Sequence, residues 1–259
     1  MKRTIVAIAS VMSLAVLLGG CGGSTPVAAP TAAPTTTQPP RPPCGDAAMA
    51  GTAVTFPNSV GAQLDGYLLG SGSTGIVLAN EIRKDKCSWQ PYAKQLASRG
   101  YRVLAFDFNS DSRSGYVQGS TDNDDVVAAA GLLRQRGVQK LVLLGASRGG
   151  TAVLVAATKI QPALAGVISL SGPASISGMN ASLAVPQLTV PVLYIVASLD
   201  RAFAADAQTL YNATPKALAK LVVLEGVGHG VQFPLGGAAS SARALMEIDA
   251  FLAAHAPAA

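Results

Sequence analysis

Three residue types in one order carry the chemistry this chain could do: Ser147, then Asp200, then His229. Ser147 lies in Gly145-Ala-Ser-Arg-Gly149, a GxSxG pattern. The apolar run Lys140 to Gly145 leads straight into it, and the helical pattern Arg148 to Lys159 follows at once. A serine on so tight a strand-to-helix turn projects its hydroxyl above a sheet edge. There a helix N-terminus favours developing negative charge. Such a hydroxyl is a nucleophile only if a base takes its proton. The chain has two histidines. His255 belongs to the C-terminal tail and is expected to be solvated. His229 sits in Glu225-Gly-Val-Gly-His-Gly230, just after the apolar run Leu221 to Leu224. If the strands are parallel, that loop opens on the same sheet edge as Ser147. The imidazole in turn needs an acid to fix its tautomer and stabilise its charged form. Asp200, which ends Val192-Leu-Tyr-Ile-Val-Ala-Ser-Leu-Asp, is the first choice. Asp206, on the next expected helix, and Asp107, on an earlier strand, are its rivals.

The elements that must position these groups follow from the pattern of apolar residues. Runs at 64–69, 76–79, 102–108, 140–145, 166–170, 192–197 and 221–224 read as strands. Helical patterns cover 90–99, 122–136, 148–159, 204–212 and 239–255. Thr121 is a plausible N-cap for the second helix, with acids in its first turn and Gly137 after its end. Most of the strands are apolar on both faces, as a parallel sheet covered by helices on both sides requires. Alternation of strand and helix makes the class α/β. Gly70, Gly72 and Gly75 spell GxGxxG after a strand, but Ile76-Val-Leu-Ala79 follows where a dinucleotide site needs a helix. A hairpin turn joining the strands at 64–69 and 76–79 is the expectation instead.

The N-terminus reads as an export signal. Lys2 and Arg3 precede an apolar stretch from Ile5 to Leu18, and Leu18-Gly19-Gly20-Cys21 has the form of a bacterial lipobox. Residues 1–20 are therefore expected to be a lipoprotein signal peptide, with Cys21 lipidated. Acylation at several points on Cys21 would suffice for stable anchoring in a membrane. Residues 21–43, rich in Pro, Thr and Ala, are expected to be a disordered tether. Residues 44–259 then form the folded domain. With Cys21 lipidated, Cys44 and Cys87 remain, and an even pair in an exported protein points to a disulfide.

The formal charge of +5 does not point to nucleic acid. Lys2, Arg3 and Arg41 lie outside the domain, and without them 16 of the 19 basic residues face 14 acidic ones. No basic run supports a polyanion site. No group of His, Cys and acidic residues has metal-ligand spacing, so neither a metal nor an organic cofactor is implied.

The order Ser147, Asp200, His229, each after a strand, together with the closing helix, resembles the α/β-hydrolase superfamily. The resemblance runs from about residue 56 to 255. Phe56 to Gly70 is similar to the opening hairpin of exported, dienelactone-hydrolase-like members, although true dienelactone hydrolases use a cysteine nucleophile where this chain has Ser147. The resemblance implies a mostly parallel twisted sheet with helices on both faces. It also implies an oxyanion hole made by backbone N–H groups of Arg148 and of the loop after Ile76-Val-Leu-Ala79, with Ile82 the candidate and Glu81 next. Glu81 is expected to turn its side chain away from the oxyanion, and Arg148 either to add positive charge at the pocket mouth or to lie on the helix surface. The segment 172–191 is too short for a large cap domain. The implied function is a serine hydrolase cleaving carboxylester or thioester bonds of a small or lipid-like substrate, held outside the cytoplasmic membrane. An acyltransferase or peptidase on the same fold is the enzymatic alternative, and a non-catalytic envelope-binding lipoprotein the other.

Overall fold

The computed structural model describes residues 44, 51–111 and 116–258. The signal and tether expected at 1–43 lie outside the described residues. Eight strands form one sheet: β1 (Thr52–Pro57), β2 (Gln63–Leu69), β3 (Thr74–Ala79), β4 (Arg102–Phe106), β5 (Lys140–Ala146), β6 (Gly166–Leu170), β9 (Val192–Ala197) and β10 (Ala219–Leu224). Two short strands, β7 (Ser175–Ile176) and β8 (Met179–Asn180), pair apart from it. The helices are α1 (Gln90–Ser98), α2 (Asp122–Gln135), α3 (Arg148–Ala157), α4 (Ala181–Ala184), α5 (Arg201–Ala213) and α6 (Ser241–His255).

The large sheet runs β1-β2-β4-β3-β5-β6-β9-β10. β2 is antiparallel to both of its neighbours, and every pairing from β4 to β10 is parallel. The opening hairpin is therefore present as β1 and β2. The turn expected at 70–75 is not a hairpin, because β4 lies between β2 and β3 and pairs with both. The 70–73 link instead crosses one strand position, since β2 runs opposite to β3 and the space beside it is filled by β4. The strand that ends the GxGxxG run is in place, beginning at Thr74.

Alternate side chains along each central strand enter opposite cores. Ile76, Leu78, Val142, Leu144, Ile168, Leu193 and Ile195 pack with Trp89 and Leu96 at α1 and with Ile248 and Leu252 of α6. Val77, Leu143, Val167, Val192 and Tyr194 pack with Val126 and Leu133 of α2, Val153 of α3 and Leu210 of α5. Both faces are thus dry, which explains why these strands read as continuous apolar runs rather than alternating ones. The C-terminal tail is docked rather than frayed. Ala256 is buried and Thr74 Oγ1 donates to the Pro257 carbonyl at 2.8 Å, while His255 itself remains exposed against the Phe251 ring.

Cys44 and Cys87 are joined in a disulfide. It fastens the start of the domain to the 3-10 turn Lys86–Trp89, ahead of α1. Next to it, Lys86 Nζ and Asp107 Oδ2 form a buried ion pair at 2.6 Å, and the Lys86 N–H donates to the other Asp107 oxygen. Segment 172–191 folds into β7, β8, α4 and one 3-10 turn, so there is no large cap.

A second buried acid holds the β1–β2 turn to α2. Asn58 Nδ2 donates to Asp125 Oδ1 at 2.7 Å, and the Asn109 N–H donates to Asp125 Oδ2 at 2.7 Å. Asn58 Oδ1 accepts from the N–H groups of Val60 and Ala62 within the turn itself. Burial penalises the charged carboxylate more than these donors favour it, and the Asp125 pKa is pushed up to about 6. The folded state therefore binds this proton more tightly than the unfolded chain, whose aspartates titrate near about 4. The contribution of Asp125 to stability is greatest below the unfolded value and is lost as pH rises to about 6. Urea unfolding of the wild type and of Asp125→Asn across pH 4 to 7 measures this. The wild-type stability relative to the variant should fall between about pH 4 and 6 and level off above that. A difference that does not change with pH would show the network to be insensitive to this proton.

Candidate active site

The site is built at the C-terminal edge of the parallel strands, where four loops meet. β5 ends in Gly145-Ala146, Ser147 makes the turn and α3 starts at Arg148. Ser147 takes φ 50° and ψ −120°, a backbone region that side chains avoid. The turn is tight enough that a side chain at 145 would run into the carbonyl of Gly149, and one at 149 into the carbonyls of Ala79 and Asn80. Hydrogen bonds fix the strained turn from neighbouring strands. The Ser147 N–H donates to the Leu170 carbonyl at 2.8 Å, and the Gly149 N–H to Asn80 at 3.0 Å. Arg148 is the first residue of α3, so its N–H has no carbonyl within the helix to satisfy it.

Asp200 follows β9 and His229 follows β10. The structure brings the two together, with His229 Nδ1 at 2.7 Å from Asp200 Oδ2. With an ionised carboxylate there, Nδ1 carries the proton and Nε2 is left as the basic nitrogen. Asp200 stands at the N-cap position of α5 but makes no side-chain cap. Its carboxylate serves the imidazole instead. The Phe203 ring, from the first turn of α5, meets the His229 ring edge to face at 4.4 Å between centroids. Neither rival acid reaches the histidine. Asp206 accepts from the Ala174 N–H at 3.0 Å, tying segment 172–191 to α5, and Asp107 is paired with Lys86.

The histidine loop rests on the strand that leads into Ser147. Gly230 has φ +51°, and a Cβ there would lie 3.2 Å from Ala146 Cβ, the residue before Ser147, and would collide with the Glu81 carboxylate. Glu81 Oε1 accepts from the Val231 N–H at 2.7 Å, and Ser171 Oγ from the Gly230 N–H at 3.4 Å. Ser171 is buried and, like Ser147, holds a positive φ, at 50°. Glu81 is buried with its carboxylate turned to the backbone of the histidine loop, a bond to a charged acceptor that is stronger than a neutral one. The residue composition around 81 gives no sign of this role, because the partner N–H is 150 residues away in the chain.

Arg148 departs from both expected placements. It is neither at a pocket mouth nor on the helix surface, but 3% exposed. Its guanidinium pairs with Asp111 and lies 3.4 Å from an Asp122 oxygen, donates to Ser110 at 3.1 Å and stacks over the Phe108 ring at 4.8 Å. Two carboxylates offset its charge. Burial raises the Asp122 pKa, with Arg148 and Ser110 opposing that shift. Arg148 thus anchors the loop after β4 to the elbow. Ile82 lies on the loop after β3, half exposed, next to Arg83, which takes a positive φ of 62°.

A family model described as the dienelactone hydrolase family matches residues 64–251. A comparison with curated proteins finds no match. Among solved structures, an esterase of Pyrococcus furiosus is similar with a TM-score of 0.67 at 15% identity, over 80% of this chain and 91% of its own. The esterase domain of a Rhodothermus marinus protein is similar with a TM-score of 0.60 at 20% identity, over 79% and 98%. A Rhodococcus esterase gives a TM-score of 0.64 at 15% identity, over 78% and 99%. At these identities the structural likeness is one of fold.

The strain at Ser147 yields a stability test that is independent of any reaction. Ser147→Gly removes the side chain that makes φ 50° unfavourable, whereas Ser147→Ala keeps a Cβ there. Thermal unfolding should find the glycine variant more stable than the alanine variant by about 1 kcal/mol, the relief of strain outweighing the entropy of an added glycine. An alanine variant as stable as the glycine one would mean that the turn is unstrained.

Proposed function

The chain belongs to the dienelactone hydrolase family, and we propose that within it this protein is a serine carboxylesterase working through an acyl-enzyme. One observation carries the reading. His229 is held through Nδ1 by Asp200 at 2.7 Å, on a loop packed against the strand that ends in the strained Ser147. In the proposed reaction His229 Nε2 takes the Ser147 proton as Oγ attacks the ester carbonyl. Asp200 keeps the imidazole in the tautomer that leaves Nε2 free and stabilises it once charged. The N–H groups of Arg148 and Ile82 receive the negative charge that develops on the carbonyl oxygen. His229 then gives its proton to the departing alcohol. Water, deprotonated by the same nitrogen, releases the acid and restores the serine.

The proposal includes the place of work. Cys21, in its lipobox, would carry the lipid, and residues 21–43 would stand the domain off the outer side of the cytoplasmic membrane or on a periplasmic face. The Cys44–Cys87 disulfide supports an oxidising compartment.

Two experiments test these readings. In a short-chain ester assay, Ser147→Ala and His229→Ala should each lower kcat by several powers of ten, and the double variant should be no worse than either alone. Asp200→Ala should lower it severely, while Asp206→Ala, which loses only a tie to segment 172–191, should leave it nearly intact. The reverse order for the two aspartates would overturn the assignment of the acid. For the anchor, the wild type should partition with membranes and carry acyl mass on Cys21. A soluble wild type without acyl mass would rule out the lipobox.

A further inference from the structure

Among the exposed large apolar side chains of the described residues, two lie within two residues in the chain of the groups that handle the proton. Leu199, 58% exposed, precedes Asp200, and Val227, 68% exposed, lies two residues before His229. Their loops are bonded to each other, the Leu199 N–H donating to the Gly226 carbonyl at 3.0 Å and the Gly226 N–H to Ser198 Oγ at 3.3 Å. The partly buried Phe203 ring, three residues after Asp200, lies against His229. Exposed apolar groups are unremarkable when scattered singly, but two on bonded loops that also carry Asp200 and His229 make an apolar border to the site.

We propose that Leu199, Val227 and Phe203 form the subsite for the alcohol portion of the ester, and that this alcohol is uncharged and apolar. The proposal rests on the esterase reading and narrows its substrate class. The side of the site is fixed by the chemistry. The imidazole that protonates the leaving oxygen must lie beside it, so the group attached to that oxygen extends over the loops carrying Asp200 and His229. The acyl chain lies on the other side of the carbonyl. The charges present also fit an uncharged group. Arg148, the cation nearest the nucleophile in sequence, is buried and offset by Asp111 and Asp122. Next to Asp200 and on the histidine loop, Arg201 at the start of α5 and Glu225 are both exposed and opposite in sign.

The test holds the acyl group constant and varies the alcohol, with full-length protein and acid release followed by pH-stat. Methyl, butyl and hexyl acetate form the same acetyl-enzyme and differ little in the leaving tendency of the alkoxide. Burying each methylene on a partly open surface should raise kcat/KM about twofold, roughly thirtyfold from methyl to hexyl acetate. Where deacylation limits turnover, kcat should be the same for all three. Leu199→Ser and Val227→Ser should each reduce the hexyl-to-methyl ratio at least about threefold. Val223→Ser on β10 and Met246→Ser on α6, exposed apolar residues away from these loops, should leave that ratio unchanged. A flat or falling alcohol series would overturn the proposal. So would a preference for glycolate acetate, whose carboxylate Arg201 could hold, or a ratio untouched by both loop variants. These outcomes leave the esterase reading standing as long as p-nitrophenyl acetate is turned over and Ser147→Ala abolishes it. Absence of Ser147-dependent turnover of every ester overturns both.

Discussion

The structure depends on one unfavourable backbone conformation. Ser147 turns the chain from β5 into α3 at φ 50°, and it holds that conformation only because its surroundings leave no other. β5 is central in the sheet and buried along almost its whole length, so the strand cannot shift. α3 packs across both the α2 core and the sheet. The turn between them is closed so tightly that glycine is required at 145 and 149, and it is stitched to β3 and β6 through the carbonyls of Asn80 and Leu170. Strain in the turn is thus offset by burial in two cores.

From that fixed point, the remaining groups are placed by loops that brace one another. The histidine loop is held by Glu81 from the loop after β3 and by Ser171 from the end of β6, and it rests on Ala146. The acid loop is bonded to the histidine loop through Leu199 and Gly226. Arg148 reaches back from the elbow to hold the loop after β4 through Asp111, Asp122 and Ser110. Every strand end around the site is therefore tied to at least one other. Such bracing suits a reaction in which a nucleophile, a base and two N–H donors must keep their geometry within fractions of an ångström.

Two groups in this bracing have chemistry that could mislead. An arginine directly after a nucleophile suggests a cation for the substrate, yet its guanidinium is occupied by two carboxylates and an aromatic face. A glutamate beside an expected oxyanion hole suggests a repulsive charge, yet its carboxylate is engaged by a backbone N–H of the histidine loop. In both cases the partners brought in by the fold, rather than the residue type, decide the role.

The sequence by itself determined the α/β class and the strands that carry the three groups, and it singled out Ser147, Asp200 and His229 as candidates, the last two of which the structure joins at 2.7 Å. These follow from local facts: apolar runs of strand length, glycines around a serine, and polar groups at strand ends. They survive because a strand buried on both faces must be apolar throughout and must end where polar residues begin. Only the tertiary structure decided what depends on neighbours distant in the chain. The 70–73 link crosses β4 instead of turning back, because strand order is set by packing rather than by loop length. Asp206 and Asp107, equal to Asp200 in type, are held elsewhere, one bonded to Ala174 and the other to Lys86, and neither meets His229. The C-terminal tail, built almost wholly of small residues, is docked through Ala256 and the bond from Thr74. The buried Arg148 and the inward Glu81 belong to the same class. A charged side chain's environment is the sum of partners brought in by the fold, and a linear pattern does not contain that sum.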